Sequence, residues 1–239
     1  MILLFAAALA AAAPCPTDAT APAHVCRALA AERGGRHAEA AEGFEQAAAA
    51  SPASVPDQAR MFAAAGNLWI SAGQPARAAT ALDRALAGNG LEGIQYGLAV
   101  LDRARAAEAQ GDLKTARAKV TEAGKTIAED PYLWFFSAAL AVREDDIPAA
   151  KSAINRALAL APDSPEVMFE AGHVAKAAGE DAKARDYWTS AAAADPNGPA
   201  GRAARGALAL MEVPLTVTNQ VATRPDGDGE GPKDEDIKP

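Results

Sequence analysis

Residue types able to do acid–base, nucleophilic or metal chemistry are present in this chain, but not in working combinations. Asp145 and Asp146 are adjacent carboxylates, a pair that could share a proton. They stand directly before an apolar helical pattern, which makes Asp146 a helix N-cap instead. His173 is followed one helical turn later by Lys176. A general base needs a further group to orient it, and the sequence offers none, so a solvated or groove-lining histidine is expected. The two cysteines, Cys15 and Cys26, and the three histidines, His24, His37 and His173, lack the spacing of metal ligands, and no metal is expected. Gly227 to Gly231 is glycine-rich but lies in an acidic run, not between a strand and a helix, so it is no phosphate loop. Neither G-x-S-x-G nor H-E-x-x-H occurs. We therefore expect no catalytic site and no cofactor.

The elements that carry these residues are helical. Half the chain is hydrophobic by count, much of it alanine, while aromatics make up only 5%. Alanine has the highest helix propensity and allows close helix approach, so thin layers of helices are expected instead of one thick core. The net charge of −8 argues against a general nucleic-acid binder, which needs a basic face to displace counterions from phosphates.

A repeat runs through the chain. Ala116, Ala150 and Ala184 are spaced by 34 residues, each five after a turn residue (Gly111, Asp145, Gly179). A large apolar residue follows four later (Val120, Ile154, Trp188), and alanine three beyond that (Ala123, Ala157, Ala191). The same text recurs upstream from Gly73 (Ala78, Leu82, Ala85) and from Gly35 (Ala40, Phe44, Ala47), with steps of 38 residues. One such unit cannot bury its apolar face alone, so each requires a neighbour. Small residues let the two helices of a unit approach, and the large residue is expected to fill the space between neighbouring units. Asp130-Pro131, Ser164-Pro165 and Gln74-Pro75 place a polar residue before a first-turn proline, and Gly35, Gly73, Gly111 and Gly179 mark tight turns.

This pattern resembles the tetratricopeptide-repeat (TPR) family, whose 34-residue unit is a pair of antiparallel helices. Trp134, Ala138, Ala150, Ile154, Ala157 and Pro162 fit one unit at its positions 4, 8, 20, 24, 27 and 32; Met168, Gly172, Ala184, Trp188, Ala191 and Pro196 fit the next. Gly66, Trp69 and Ala78 fit an earlier unit, and Phe44, Ala47 and Pro52 the first. The third unit, near 97–130, is the most degenerate, its Pro131 coming three residues late. The resemblance covers about residues 21–198. It implies an all-α, right-handed TPR-like solenoid of about five helix pairs, near 22–50, 55–87, 92–128, 131–160 and 165–194. Gly201 to Met211 then forms a C-terminal capping helix.

The resemblance also implies where a partner would bind. First helices of such arrays line a concave groove, with exposed residues near positions 2, 5, 9, 12 and 13. On this chain those positions hold Arg60, Asn67 and Ser71; Leu98, Leu101, Arg105 and Glu108; Tyr132, Phe135 and Arg143; and Glu166, Phe169, His173 and Lys176. Aromatics mixed with a basic excess suit an extended peptide with acidic or aromatic side chains. Tyr132 and Phe169 are expected to form a two-aromatic platform near Arg143, His173 and Lys176. Phe135 and Phe169 could equally pack between units. The carboxylate clamp of chaperone-binding members is not reproduced: Asn67 falls at one clamp position, but Ala63 stands where a lysine would be expected. The implied function is a protein–protein interaction scaffold or adaptor for an extended peptide or helix. The alternative is a structural or self-assembling element whose groove holds its own tail or another copy.

The termini bound the domain. Residues 1–13, MILLFAAALAAAA, have the length of a signal-peptide apolar region and are too short for a membrane span. They lack a lysine or arginine near Met1; if they are not a signal, the chain stays cytoplasmic. Export implies a periplasmic or secreted protein with no stable membrane span after cleavage. In an oxidising compartment Cys15 and Cys26 are expected to pair, stapling a linker over 14–21 to the repeat domain, 22–211. Residues 212–239 carry seven acids against three bases and are expected to be a disordered acidic tail.

Overall fold

The computed structural model describes residues 14–52 and 56–212. The signal-peptide expectation for 1–13 and the tail from residue 213 onward lie outside the described residues. Eleven helices and no strand are found among those described. They are α1 (Ala21–Arg33), α2 (His37–Ala49), α3 (Pro56–Ser71), α4 (Pro75–Leu86), α5 (Gly93–Ala109), α6 (Leu113–Ala123), α7 (Pro131–Arg143), α8 (Ile147–Leu160), α9 (Pro165–Ala177), α10 (Asp181–Ala194) and α11 (Pro199–Glu212). The third pair ends earlier than expected. Gly124 caps α6, and residues 124–130 form turns that drop Ile127 into the core.

One turn is used five times. In each hairpin a residue just past the first helix takes the left-handed conformation: Gly35, Gly73, Gly111 and Gly179 at φ between 69° and 79°, and Asp145 at 59°. The next residue's N–H then donates back to the carbonyl five residues earlier, as from Gln74 to Trp69 at 2.9 Å, Asp146 to Ala141 at 2.9 Å and Glu180 to Ala175 at 2.9 Å. This is a Schellman-type closure, which glycine makes without steric cost. Asp146 then accepts from the Ala149 N–H at 3.0 Å, Asp112 from Thr115 at 3.0 Å and Ser164 from Val167 at 3.3 Å. Gln74 precedes its proline without a side-chain cap.

The alanine register is the packing register. Ala40, Ala78, Ala116, Ala150 and Ala184 are fully buried, and so are Ala47, Ala85, Ala123, Ala157 and Ala191. In two units the large residue packs within its own helix pair. Leu82 lies over Gly66 and Trp188 over Gly172, each within its own unit, where a glycine Cβ would collide with the covering side chain. There it closes its own helix pair. Four successive core clusters run along the stack. Consecutive helices touch, and α3 also meets α5, α7 meets α9, and α9 meets α11. The first helices thus make a row along one side, as expected for a solenoid.

The N-terminal segment is held by a disulfide. Cys15 and Cys26 are bonded, with Cα atoms 5.6 Å apart. Arg27 donates to the carbonyl of Asp18 at 3.1 Å beside it.

Candidate functional site

The row of first helices carries a ladder of polar contacts at its N-terminal end. Arg60 on α3 donates to Gln95 on α5 at 3.1 Å and pairs with Asp57 at 2.7 Å. Two turns further along, Asn67 donates to Asp102 on α5 at 2.8 Å, and Arg105 donates to the same carboxylate at 2.8 Å. Arg60, Asn67, Gln95, Leu98 and Asp102 line a shallow cleft of about 270 Å³ between the two helices. Arg105 reaches on over the Tyr132 ring of α7, 5.6 Å from its centroid, an ordinary cation–π distance. Glu108 pairs with Arg143 across the same gap.

These contacts change the charge expected of the groove. Its cations are already matched within the chain: Arg60 by Asp57, Arg105 by Asp102, Arg143 by Glu108, and Lys176 by Asp181 at 2.8 Å across the α9–α10 turn. The exposed pairs, Arg60–Asp57 and Lys176–Asp181, contribute about 0–1 kcal/mol each and remain exchangeable, but the basic excess read from the sequence is not there.

Position 5 of the unit also differs from expectation. Leu101 is 2% exposed and belongs to the core beside Leu133 and Phe136. Phe135 is half-buried between two core clusters, and Phe169 is half-buried against the cluster of Trp188. This position points toward the next repeat, where bulk closes the stack. The platform of Tyr132 and Phe169 accordingly does not form. Tyr132, 41% exposed, stacks on Phe135 of its own helix at 5.4 Å. Phe169 meets His173 edge-on at 4.5 Å, and His173 meets Trp188 at 5.4 Å. Burial depresses the His173 pKa, so the ring is neutral near pH 7.

Toward the C-terminal end the polar ladder gives way to one carboxylate. Glu170 on α9 is partly buried, and burial alone pushes its pKa up to about 7. No described cation or hydrogen-bond donor offsets that burial. Elsewhere, no group of three or more possible metal ligands and no helix long and apolar enough to cross a membrane is found among the described residues.

No protein-family model matches the sequence, and no curated protein matches it. Solved structures do resemble it. PilW, a widely conserved type IV pilus biogenesis factor, superposes with a TM-score of 0.64 at 19% identity, covering 77% of this chain and 81% of PilW. A thermophilic TPR protein of Thermus thermophilus gives 0.63 at 18% identity, covering 79% and 97%. YrrB, described as a TPR protein with an unusual peptide-binding site, gives 0.55 at 16% identity, covering 78% and 92%. The chain has the TPR fold.

Numbered by the TPR unit, the residues missed by sequence reading fall at position 6. Asp102 and Glu170 both occupy it, with Phe136 between them at the intervening repeat. Position 6 is not among the exposed positions of the unit: it is only half-open, because it leans toward the preceding first helix. A signal was nonetheless available. A carboxylate at a slot filled by buried Phe136 one repeat earlier is out of keeping with a packed position.

Proposed function

We propose that this protein is a non-enzymatic scaffold that binds an extended segment of a partner protein along the row of first helices, in the cell envelope. The observation that carries this reading is the row itself. Arg60, Asn67, Arg105, Glu108, Tyr132 and Arg143 sit on three successive first helices and interact across the gaps between them. Such a face offers weakly held charges and one exposed aromatic ring, groups that a peptide can engage in exchange for their present partners. The envelope setting rests on residues 1–13 and on the disulfide, which persists in an oxidising compartment.

Site-specific photo-crosslinking tests it. A photoreactive amino acid placed at Tyr132, on the row, should give a discrete heavier adduct in cells. The same group at Asn155, on the second-helix side, should not. Adducts from Asn155 alone would refute the groove reading. Fractionation of the same cells tests the location, and a cytosolic chain refutes it.

One observation favours the self-assembling alternative. Among the described residues α11 is the last helix; it takes the place of the first helix of a sixth unit and packs on α9 and α10. Leu210 is 78% exposed there, and Gly206, at the small position, has open space where Gly66 and Gly172 are covered. An adduct of twice the chain mass from a probe at Leu210 would support that reading.

A further inference from the structure

We infer that the C-terminal half of the groove is completed by a lysine or arginine of the bound segment, with Glu170 as its counter-charge. The inference rests on the groove reading above and names the chemistry of the partner. It comes from comparing two equivalent places in the repeat. In the third unit the position-6 carboxylate, Asp102, is satisfied by two donors: Asn67, at position 9 of the preceding first helix, and Arg105, at position 9 of its own. In the fifth unit the carboxylate is Glu170, and both donors have been replaced. Ala139 stands at position 9 of α7, and His173 at position 9 of α9.

His173 does not restore the missing charge. Its ring is held edge-on between Phe169 and Trp188, and burial keeps it neutral. Glu166, one turn before Glu170 on the same helix, is a second acid and hydrogen-bonds the Ser164 hydroxyl at 2.9 Å. Lys176, one turn beyond His173, is paired with Asp181. The fifth unit thus keeps a carboxylate at position 6, one methylene longer, without the two donors that meet it in the third unit. A carboxylate partly withdrawn from water without a donor is costly, and the cost is relieved when a cation arrives from outside. An acidic peptide, the partner that the sequence suggested, would meet Glu166 and Glu170 unfavourably.

Selection from a phage-displayed library of random dodecapeptides on the full chain, and in parallel on Glu170→Gln, tests this. On the parent, one peptide position should be enriched in lysine or arginine, and on Glu170→Gln that enrichment should vanish. A synthetic selected peptide should bind Glu170→Gln about tenfold more weakly or worse. The same peptide with its lysine acetylated should bind the parent equally weakly, which tests the charge without altering the protein. Peptides without a basic position, or a basic position equally favoured by Glu170→Gln, overturn the assignment of Glu170 and leave the groove reading standing. If no peptide is selected at all, both fall. Should Glu170→Gln not fold, the carboxyl resonance of Glu170 in the parent carries the test. Its titration should move to lower pH with the lysine peptide and stay in place with the acetylated one; equal behaviour with both overturns the inference.

Discussion

Glu170→Gln should stabilise the free protein at pH 8 and leave it unchanged at pH 4. The folded-state pKa is about 7, against an ordinary value of 4.5. Below pH 4.5 the carboxyl is protonated in both states and contributes nothing to the pH dependence. Between 4.5 and 7 the unfolded chain releases its proton while the folded chain keeps it, so stability falls as pH rises. Above 7 the full penalty is present. At roughly 1.4 kcal/mol per pH unit the difference amounts to about 3.5 kcal/mol, and the carboxyl's partial access to solvent reduces it toward about 1–2 kcal/mol. Glutamine keeps the shape and cannot ionise, so it removes this loss. His173 acts with the opposite sign. Its pKa is depressed, so the unfolded chain takes up a proton first as pH drops through about 6.5, and stability falls toward acid. The parent therefore carries two opposed slopes in overlapping windows, and the difference between parent and variant isolates that of Glu170. Urea denaturation midpoints at pH 4, 5.5, 7 and 8, at constant m-value, read it directly. A difference that stays flat from pH 4 to 8, or a variant less stable than the parent at pH 8, would mean that Glu170 is ionised and partnered in the free protein. The reasoning about its missing donors would then be wrong.

Three further outcomes are expected. Gly172→Ala should lose about 1–3 kcal/mol, because its Cβ would collide with Trp188, whereas Gly206→Ala should gain up to about 1 kcal/mol in the same denaturation assay, since nothing lies near its Cβ. Reducing the Cys15–Cys26 disulfide should lower stability by about 3 kcal/mol, as chain-entropy models give for a loop this short, and free-thiol titration of the unreduced protein should find no reactive thiol. Asp145→Gly should be neutral or mildly stabilising in thermal melts, while Asp145→Val should cost about 1–2 kcal/mol, because a β-branched residue is strained at φ 59°.

The sequence was most informative where geometry leaves one residue type. Ten alanines on the 34- and 38-residue registers are fully buried because each stands where two helix backbones approach too closely for anything larger. The hairpin glycines were legible for the same reason, and Asp145 could be aligned with them because its neighbours matched. The large position-24 residue is legible as packing, but its partner is not. Spacing along one chain gives a side chain's face without saying whether its own pair or the next pair covers it.

That distinction also explains why the groove was harder to read. Positions 5 and 6 are adjacent in sequence, yet on a helix they lie about 100° apart, one turned toward the following repeat and the other toward the preceding one. Which is open depends on how far each pair rotates against its neighbours, a stacking property that no single unit encodes. Bulky residues at position 5 (Leu101, Phe135, Phe169) looked like binding residues because aromatic and large apolar types serve core and interface alike. Charge gave a second false lead. Counting Arg60, Arg105, Arg143 and Lys176 as a basic surface ignored acids 3 to 35 residues away in sequence that the fold brings to them. A repeat protein offers a correction that other folds do not. Each groove position recurs, so a residue can be compared with its own equivalents one or two repeats away. By that comparison Asp102 has two donors and Glu170, at the same position two repeats later, has none among the described residues, and the unmet one is where a ligand's chemistry is most constrained.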